Sequence, residues 1–256
     1  MDAQFSTQSV LTDPKTMFPK EMLQPLTYSP AFDLDFVERL LGRRQRSELP
    51  RTTGRRLSIQ QNRLREVISP RLIWKELSIT RIDKTGVTLS CGTHLQSRKM
   101  AYALQNSLGL IGFIATVGRR IDREIESLMD AGALAHGYVA DALGSGAVES
   151  LADRFHNEMA RKVAQQEQKV GLRFSPGYCD WPLTDQHKLF SILDHEAIGV
   201  ELGDTALMTP RKSITAVFGV FAHENDSPIN SSYNPCRRCG KKDCIARRVE
   251  EVPPLR

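Results

Sequence analysis

An uninterrupted apolar run at residues 108–118 (LGLIGFIATVG) constrains the fold of this chain more than any other feature. The run holds 11 residues, well short of the roughly 20 that a membrane-spanning helix needs. Residues 108–116 carry no charge, and Gly109 and Gly118 lie near the two ends of the run. This pattern is typical of a β-strand buried on both faces. The run therefore predicts such a strand, and no membrane span is predicted.

The overall composition fits a globular chain that can bury a sizeable core. The chain has 256 residues, of which 40% are hydrophobic and 25% are charged, close to the average for globular domains. At about 150 residues per domain, this length predicts one large domain or one domain with substantial appendages. The first residues, MDAQFSTQSVLTDPK, contain neither a basic region nor an apolar one. We therefore expect no secretory signal and a cytoplasmic protein.

The spacing of apolar residues predicts a mixture of helices and strands. Asp33 and Ser58 each precede an amphipathic pattern, so both are predicted helix N-caps. Further helices are predicted at residues 95–104, 121–129, 133–170 and 185–193. A β-hairpin is predicted from the runs 72–82 and 87–91, and a strand at 213–221. The predicted fold class is therefore α+β.

The longest predicted helix contains small residues in an unusual cluster. Glycine inside a helix costs about 1 kcal/mol relative to alanine, and Gly144 and Gly146 lie two residues apart beside Ala140 and Ala147. One interpretation is that a neighbouring backbone or a ligand approaches closely at this point. A break between two shorter helices is an equally good interpretation.

The chain has a formal charge of +5, and its densest basic run is at residues 43–56, with six arginines and one glutamate in fourteen residues. Such a run is most often a solvated linker, although it can also bind nucleic acid or an acidic protein surface. No aromatic residues lie between the arginines to stack on bases, so nucleic acid is not the favoured partner.

The segment with the richest chemistry is residues 173–183 (RFSPGYCDWPL). Two prolines and a glycine predict a turn whose backbone can approach a ligand closely. Arg173 offers a clamp for a carboxylate, while Tyr178 and Trp181 offer flat faces for a cation or a ring. The plainer alternative is an aromatic and proline-rich loop packed over the core.

Together with residues 113–118 (FIATVG), 140–153 (ADALGSGAVESLAD) and 200–213 (VELGDTALMTPRKS), this segment closely resembles the activation domain of cobalamin-dependent methionine synthase, particularly its stand-alone homologues. The resemblance runs from about residue 72 to residue 221. It implies the activation-domain fold, with a mixed or antiparallel sheet and long helices. It also implies that the chain binds S-adenosylmethionine and docks on a corrinoid methyltransferase protein. No DxHxxG-type segment is present, so the cobalamin is expected on the partner. A reductant protein is a further candidate partner.

The resemblance also implies the roles of individual residues. It assigns Arg173 to the methionyl carboxylate, Glu149 to the α-ammonium group, and Tyr178 to the sulfonium and sugar. Ser175 and Gly177 are expected to supply backbone contacts, and Phe218 takes the place of an adenosyl-contacting tyrosine. These residue types suit a zwitterion that also carries a sulfonium, which needs an anion clamp, an ammonium acceptor and a π face. No catalytic residue is expected, because the reduced corrinoid itself attacks the methyl group.

Three of the five cysteines lie near the C-terminus in a C-x2-C-x4-C pattern, at Cys236, Cys239 and Cys244. This spacing is suited to zinc or an iron–sulfur cluster, although both normally take four ligands, and Cys91 and Cys179 are the remaining cysteines. Reduced thiols on a basic tail are the alternative.

These observations predict three parts: a basic N-terminal arm with a short helix and linker at residues 1–56, an activation-like domain at 57–222, and a Cys-rich tail at 223–256. The predicted function is that of an accessory protein for the reductive reactivation of a corrinoid methyltransferase. Two alternatives remain at this point. One is a module that docks on a corrinoid protein without using S-adenosylmethionine, and the other is a zinc-ribbon-like nucleic-acid binder.

Overall fold

The computed structural model describes residues 8–9, 25–42 and 48–222. The helices are α1 (Leu34–Leu40), α2 (Arg51–Val67), α3 (Arg98–Ala103), α4 (Arg120–Asp130), α5 (Leu134–Ala164) and α6 (Gln186–Phe190). The strands are β1 (Gln8–Ser9), β2 (Leu26–Thr27), β3 (Arg71–Leu77), β4 (Ile79–Asp83), β5 (Gly86–Leu89), β6 (His94–Leu95), β7 (Gly109–Thr116), β8 (Gln168–Val170), β9 (Glu201–Leu202), β10 (Met208–Thr209) and β11 (Ser213–Ala222). Short 3-10 turns lie at Leu183–Asp185 and Glu196–Ile198. The predicted α+β class is confirmed.

The main sheet has five antiparallel strands in the order β2-β3-β7-β11-β8. Its central strand, β7, corresponds to the apolar run, and every residue of this strand is buried, as the run predicts. The strand predicted at residues 213–221 is β11, which pairs with β7 along eight residues. A strand with neighbours on both edges and cover on both faces has no solvated side, which explains its continuous apolar sequence.

Each face of the main sheet carries its own part of the core. On one face, α5 packs with α1, α2 and α4, and an aromatic cluster fills the space beneath it, formed by Trp74, Phe113, Phe155 and Phe218. The other face is covered by α3, α6 and a smaller antiparallel sheet in the order β1-β4-β5-β6. The chain moves from one sheet to the other at Ser78, between β3 and β4. The predicted hairpin is therefore correct for β4 and β5, whereas residues 71–77 belong to the main sheet.

The start of α2 differs from the prediction. The helix begins at Arg51, directly after Pro50, and the Ser58 hydroxyl donates to the Gly54 carbonyl from within the helix instead of capping it. The buried positions Leu57, Gln60 and Leu64 continue the helical period on either side of Ser58. Residues 51–56 are therefore helical, and the boundary proposed between 56 and 57 falls inside α2. Residues 43–47 of the arginine run lie outside the described residues.

The small residues of α5 permit close packing, as one of the two interpretations predicted. The helix is continuous from Leu134 to Ala164, so there is no break at the glycines. The Asp33 amide donates to the Gly146 carbonyl at 3.0 Å, and Asp33 then caps α1 by accepting from the Phe36 amide at 3.0 Å. A Cβ atom at Gly146 would lie 2.3 Å from Val37 Cγ2. Only glycine at this position lets α1 come so close.

The end of α5 also differs from the prediction. The helix stops at Ala164, and Glu167 adopts φ +55° before the chain enters β8. Residues 168–170 are therefore an edge strand of the main sheet rather than the last turn of the helix. Within the described ranges, no helix is both long and apolar enough to cross a bilayer.

Candidate ligand cavity

The turn at residues 175–181 lies at the edge of the main sheet and is shaped by backbone hydrogen bonds. Phe174 exchanges two backbone hydrogen bonds with Val217 of β11, each 2.8 Å long, which joins the start of the turn to the sheet. Gly177 adopts φ +86°, a conformation that favours glycine, and its amide donates to the Trp181 carbonyl at 2.9 Å. The predicted turn is therefore confirmed.

Two aspartates fix the end of this turn to α3 and α6. Asp180 accepts from the Ser97 hydroxyl at 2.6 Å and from the backbone amides of Arg98 and Lys99 at 3.0 and 3.2 Å. Its carboxylate thus caps the first turn of α3.

Asp185 is the second of these aspartates and is buried. It accepts from Trp181 Nε1 at 3.0 Å and from the Gln96 amide at 2.8 Å, and it pairs with Lys188 Nζ at 2.7 Å. The sequence offered the Trp181 ring as a face for a ligand, but Trp181 is buried and its ring is not accessible. The ring that stays accessible is that of Tyr178, which is 48% exposed.

A cavity of about 330 Å³ lies beside the turn, at the lower end of the range for small-molecule sites. Its apolar wall consists of Pro176, Leu183, Ala206, Leu207, Met208 and Ile214. Its polar lining consists of Glu149, Ser175, Tyr178, Gln186, Arg211, Ser213 and Thr215. The buried Gln186 joins two sides of the cavity, because its amide donates to the Ala206 carbonyl at 2.9 Å and accepts from the Thr215 hydroxyl at 3.0 Å. An apolar pocket with a few fixed polar groups is the usual form of a ligand site.

Glu149 of α5 reaches this cavity as part of an ion-pair cluster. Arg173 Nη2 donates to Glu149 Oε2 at 2.7 Å, and Arg173 Nη1 lies 3.1 Å from Asp153 Oδ1. The Glu149 side chain is 27% exposed, whereas that of Arg173 is only 3% exposed and is not part of the cavity lining. One arginine between two carboxylates has a formal charge of −1, so the cluster presents net negative charge to the cavity.

Arg211 is the cation in the cavity lining, and the sequence did not identify it. Its backbone amide donates to Asp122 Oδ2 at 2.8 Å, which fixes the residue against the first turn of α4. Its guanidinium is held more loosely, with Nε 3.7 Å from Asp122 Oδ1 and Nη2 3.5 Å from Glu126 Oε1. The side chain is 46% exposed. The available signal was its place in the 200–213 motif, two residues before β11.

The structure brings some of the predicted ligand residues together and separates others. Glu149, Ser175 and Tyr178 all line the cavity, and Gly177 shapes the turn beside them. Phe218 does not reach it: the side chain is fully buried in the aromatic cluster, with its ring 6.2 Å from that of Phe113. Side chains alternate along β11, and Phe218 lies on the face that packs beneath α5. The structure therefore places this predicted ligand residue away from the cavity.

The predicted metal ligands Cys236, Cys239 and Cys244 lie outside the described residues. In the part of the chain that the structure describes, no group of three or more metal-binding side chains comes together. Cys91 and Cys179 are both exposed.

Two comparisons identify the kind of protein to which this architecture belongs. The fold is that of the MetH reactivation domain, whose crystal structure bound to AdoHcy superimposes with a TM-score of 0.58 over 79% of each chain, at 16% sequence identity. A family model for the activation domain of vitamin B12-dependent methionine synthase matches residues 100–245. The chain belongs to this family, and the match extends through the C-terminal cysteines. No curated protein matches the chain.

Proposed function

We propose that this chain binds S-adenosylmethionine in the cavity beside the 175–181 turn and serves in the reductive reactivation of a corrinoid methyltransferase, such as a cobalamin-dependent methionine synthase. The observation that carries the proposal is the placement of Glu149 from α5 and of Ser175 and Tyr178 from the 175–181 turn around one cavity. The family membership and the AdoHcy bound to the structural neighbour support the same ligand class.

The residues of the cavity suit the parts of this ligand. The Glu149 carboxylate accepts a hydrogen bond from the α-ammonium group, whose positive charge the net negative charge of the cluster attracts. The exposed ring of Tyr178 attracts the sulfonium through its π face, while Ser175 supplies hydrogen-bonding groups. Arg173 acts through Glu149: its 2.7 Å hydrogen bond fixes the carboxylate that the ligand meets. Binding the carboxylate directly, as the resemblance implies, would require Arg173 to leave Glu149 and Asp153.

The rim of the cavity suits a protein partner that carries the corrinoid. Tyr178, Leu183 and Leu207 are exposed apolar side chains, and all three lie at the cavity. Large exposed apolar residues that cluster at a site are typical of an interaction surface. On this proposal the methyl group passes from the sulfonium to the reduced corrinoid of the partner and leaves S-adenosylhomocysteine. The chain itself orients the sulfonium and excludes water.

Isothermal titration of the full chain with S-adenosylmethionine tests the ligand. We expect saturable binding of one ligand per chain, with Glu149→Gln weakening it about tenfold to a hundredfold, because one charge-assisted hydrogen bond is lost. Glu158→Gln is the matched control, since Glu158 lies on the same helix and bonds to Tyr28 and Lys162 instead. Absence of binding at about 1 mM ligand would overturn the proposal.

A reactivation assay tests the role. A cobalamin-dependent methionine synthase without its own activation domain is prepared in the oxidised, inactive form and mixed with this chain, S-adenosylmethionine and titanium(III) citrate as electron donor. We expect the methylated corrinoid to appear in the visible spectrum only when the chain is present. Partner binding without ligand binding or methylation would instead support the docking module.

A further inference from the structure

We propose that His156 is a positioning residue for the ligand site and acts by holding the backbone segment that carries Arg173. The inference rests on the proposed function and adds a residue to it. His156 lies on α5, is half-buried and is not among the residues that line the cavity. Its effect on a ligand therefore passes through the segment that it holds.

This segment, residues 171–174, leads from β8 to the 175–181 turn and runs along β11. The Gly171 amide donates to the Gly219 carbonyl at 2.8 Å. Phe174 exchanges two hydrogen bonds of 2.8 Å with Val217. These contacts join the two ends of the segment to the main sheet, and Arg173 lies between them.

On its other side, the segment contacts three residues that share one face of α5. Glu149, Asp153 and His156 follow one another at intervals of four and three residues, which places them on the same side of the helix. Arg173 pairs with the first two at 2.7 and 3.1 Å. The Nε2 atom of His156 lies 2.9 Å from the Gly171 carbonyl oxygen. A carbonyl oxygen can only accept, so Nε2 carries a proton and donates.

The His156 ring is held in the orientation that this hydrogen bond needs. It packs edge-on against Phe218, with the ring centroids 4.7 Å apart and the ring planes at 81°. Phe218 is fully buried in the aromatic cluster beneath α5. The donor therefore has a fixed direction, and the hydrogen bond restrains the Gly171 carbonyl.

The His156 contact differs from the two ion pairs in its response to a ligand. Glu149 lines the cavity and the Asp153 side chain is 54% exposed, so a zwitterion can reach both carboxylates. The charged groups of such a ligand therefore compete for the partners of Arg173. The hydrogen bond from His156 ends on a backbone carbonyl and does not depend on these charges. It keeps the backbone of Arg173 in place while the guanidinium changes its partners.

Three substitutions separate the donor of His156 from its ring. Glutamine carries its side-chain nitrogen as many bonds from Cβ as the Nε2 atom of histidine, whereas that of asparagine is one bond closer. His156→Gln therefore keeps the donor, and His156→Asn withdraws it with the same functional group. His156→Phe keeps a ring against Phe218 and has no donor.

Isothermal titration of each full-length variant with S-adenosylmethionine measures the effect. We expect His156→Gln to bind with the affinity of the parent. His156→Asn and His156→Phe should bind about threefold to tenfold more weakly, because binding must then order a segment that one neutral hydrogen bond ordered before. Thermal melting without ligand establishes that each variant is folded at the temperature of the titration.

Hydrogen exchange provides a second measurement that needs no ligand. The peptide that contains residues 171–174 should exchange its amide hydrogens faster in His156→Asn and His156→Phe than in the parent, and at the parental rate in His156→Gln. Faster exchange together with parental affinity would show that the contact holds the segment without serving the ligand, which overturns the inference.

Arg154→Ala is the matched control. Arg154 also lies on α5 and donates to a backbone carbonyl, that of Ser29, at 2.7 Å. Its removal should lower the Tm and leave the affinity for S-adenosylmethionine unchanged. A loss of affinity in this variant equal to that of His156→Asn would show a general effect of loosening α5 and would also overturn the inference.

The remaining outcomes separate this inference from the function on which it rests. Parental affinity of all three His156 variants overturns the role of His156 and leaves S-adenosylmethionine binding established. Equal weakening by His156→Gln and His156→Asn overturns it as well, since the donor is then not what matters. If only His156→Gln folds, His156 serves the fold alone and the inference is overturned. Absence of binding by the unmodified chain at about 1 mM ligand overturns the proposed function and this inference together.

Discussion

Gly146→Ala should destabilise the protein even though alanine is the better helix former. The carbonyl of Gly146 accepts from the Asp33 amide, and the added methyl group would point at the helix that Asp33 caps. The new Cβ would lie 2.3 Å from Val37 Cγ2 and 3.0 Å from the Asp33 carbonyl oxygen. Carbon atoms in van der Waals contact are about 3.5 to 4.0 Å apart, so α1 would have to move by more than 1 Å.

Opposing effects set the size of this change. Replacing glycine in a helix interior with alanine gains about 1 kcal/mol. Overpacking a buried contact costs about 1 to 3 kcal/mol, and Val37 cannot easily relieve it, since it is fully buried and its β-branched side chain has few rotamers. We therefore expect a net loss of about 1 kcal/mol in the free energy of unfolding, or about 2–4 °C in Tm for a domain of this size.

The chain offers a matched control in Gly54 of α2. No atom lies within 4 Å of a Cβ built at Gly54, so Gly54→Ala should stabilise the protein by about 0.5 to 1 kcal/mol. Guanidinium denaturation, followed by circular dichroism, compares the two variants directly. Adding Val37→Ala to Gly146→Ala should cost less than the sum of the single changes, because the methyl group that clashes is then absent.

The reasoning is refuted if Gly146→Ala stabilises the protein as much as Gly54→Ala. Helix propensity would then dominate at both positions, and the close approach of α1 to α5 would not exist in solution. Additivity of the Val37 and Gly146 changes would refute it in the same way.

Three further predictions concern other parts of the chain. Asp185→Asn should destabilise the fold by about 1 to 3 kcal/mol and shift the Trp181 fluorescence, because the buried carboxylate accepts from the indole N–H; a denaturation midpoint within error of the parent would contradict this. Burial raises the pKa of Glu158, but hydrogen bonds from Lys162 and Tyr28 lower it more, so the pKa in the folded state lies below its usual value. The corresponding stability is present above a pH of about 4.3 and is lost as the pH falls through the folded-state pKa, and Glu158→Gln should flatten this acid limb in denaturation curves. The C-terminal cysteines Cys236, Cys239 and Cys244 should bind a metal. After anaerobic purification, metal analysis and visible absorption should find either iron with a broad visible band or colourless zinc. Titration of all three cysteines as accessible thiols would contradict a metal site.

The sequence predicted the elements whose patterns depend on burial alone. The apolar run at residues 108–116 is the central strand, and residues 121–129 lie in α4. A continuous apolar run indicates a strand buried on both faces, and apolar residues at helical spacing indicate a helix buried on one face. It mispredicted elements for which two local signals competed. Ser58 is a good N-cap residue, yet the helix begins directly after Pro50, eight residues earlier. The local capping rule that favoured Ser58 did not take account of the helical period that continues upstream of it.

For the candidate site, the sequence supplied candidate residues but not the contacts between them. Glu149 and Arg173 were both identified, but as separate ligand contacts, and the sequence did not show that they pair with each other. These residues are 24 positions apart in the sequence, and only the fold shows that their side chains are in contact. The position of Phe218 away from the cavity was not predictable for a related reason, since the face on which a residue of β11 lies depends on the register of this strand with β7.

The glycines and the charged residues of α5 belong to one arrangement. Asp141, Ser145, Glu149 and Asp153 recur every four residues and therefore share one face of the helix. Lys212 bonds to the first two of these residues and Arg173 to the last two.

Gly144 makes the first of these contacts possible, because a Cβ at this position would lie 3.0 Å from Lys212 Cγ. Its small size lets the lysine lie across the helix, and Lys212 in turn fixes the backbone next to Arg211. Gly144→Ala should accordingly displace the lysine chain from α5 and lower the Tm, and the loss should shrink when Lys212→Ala is added, because the clashing methylene groups are then absent. Additive effects of the two changes in thermal melting would contradict this contact.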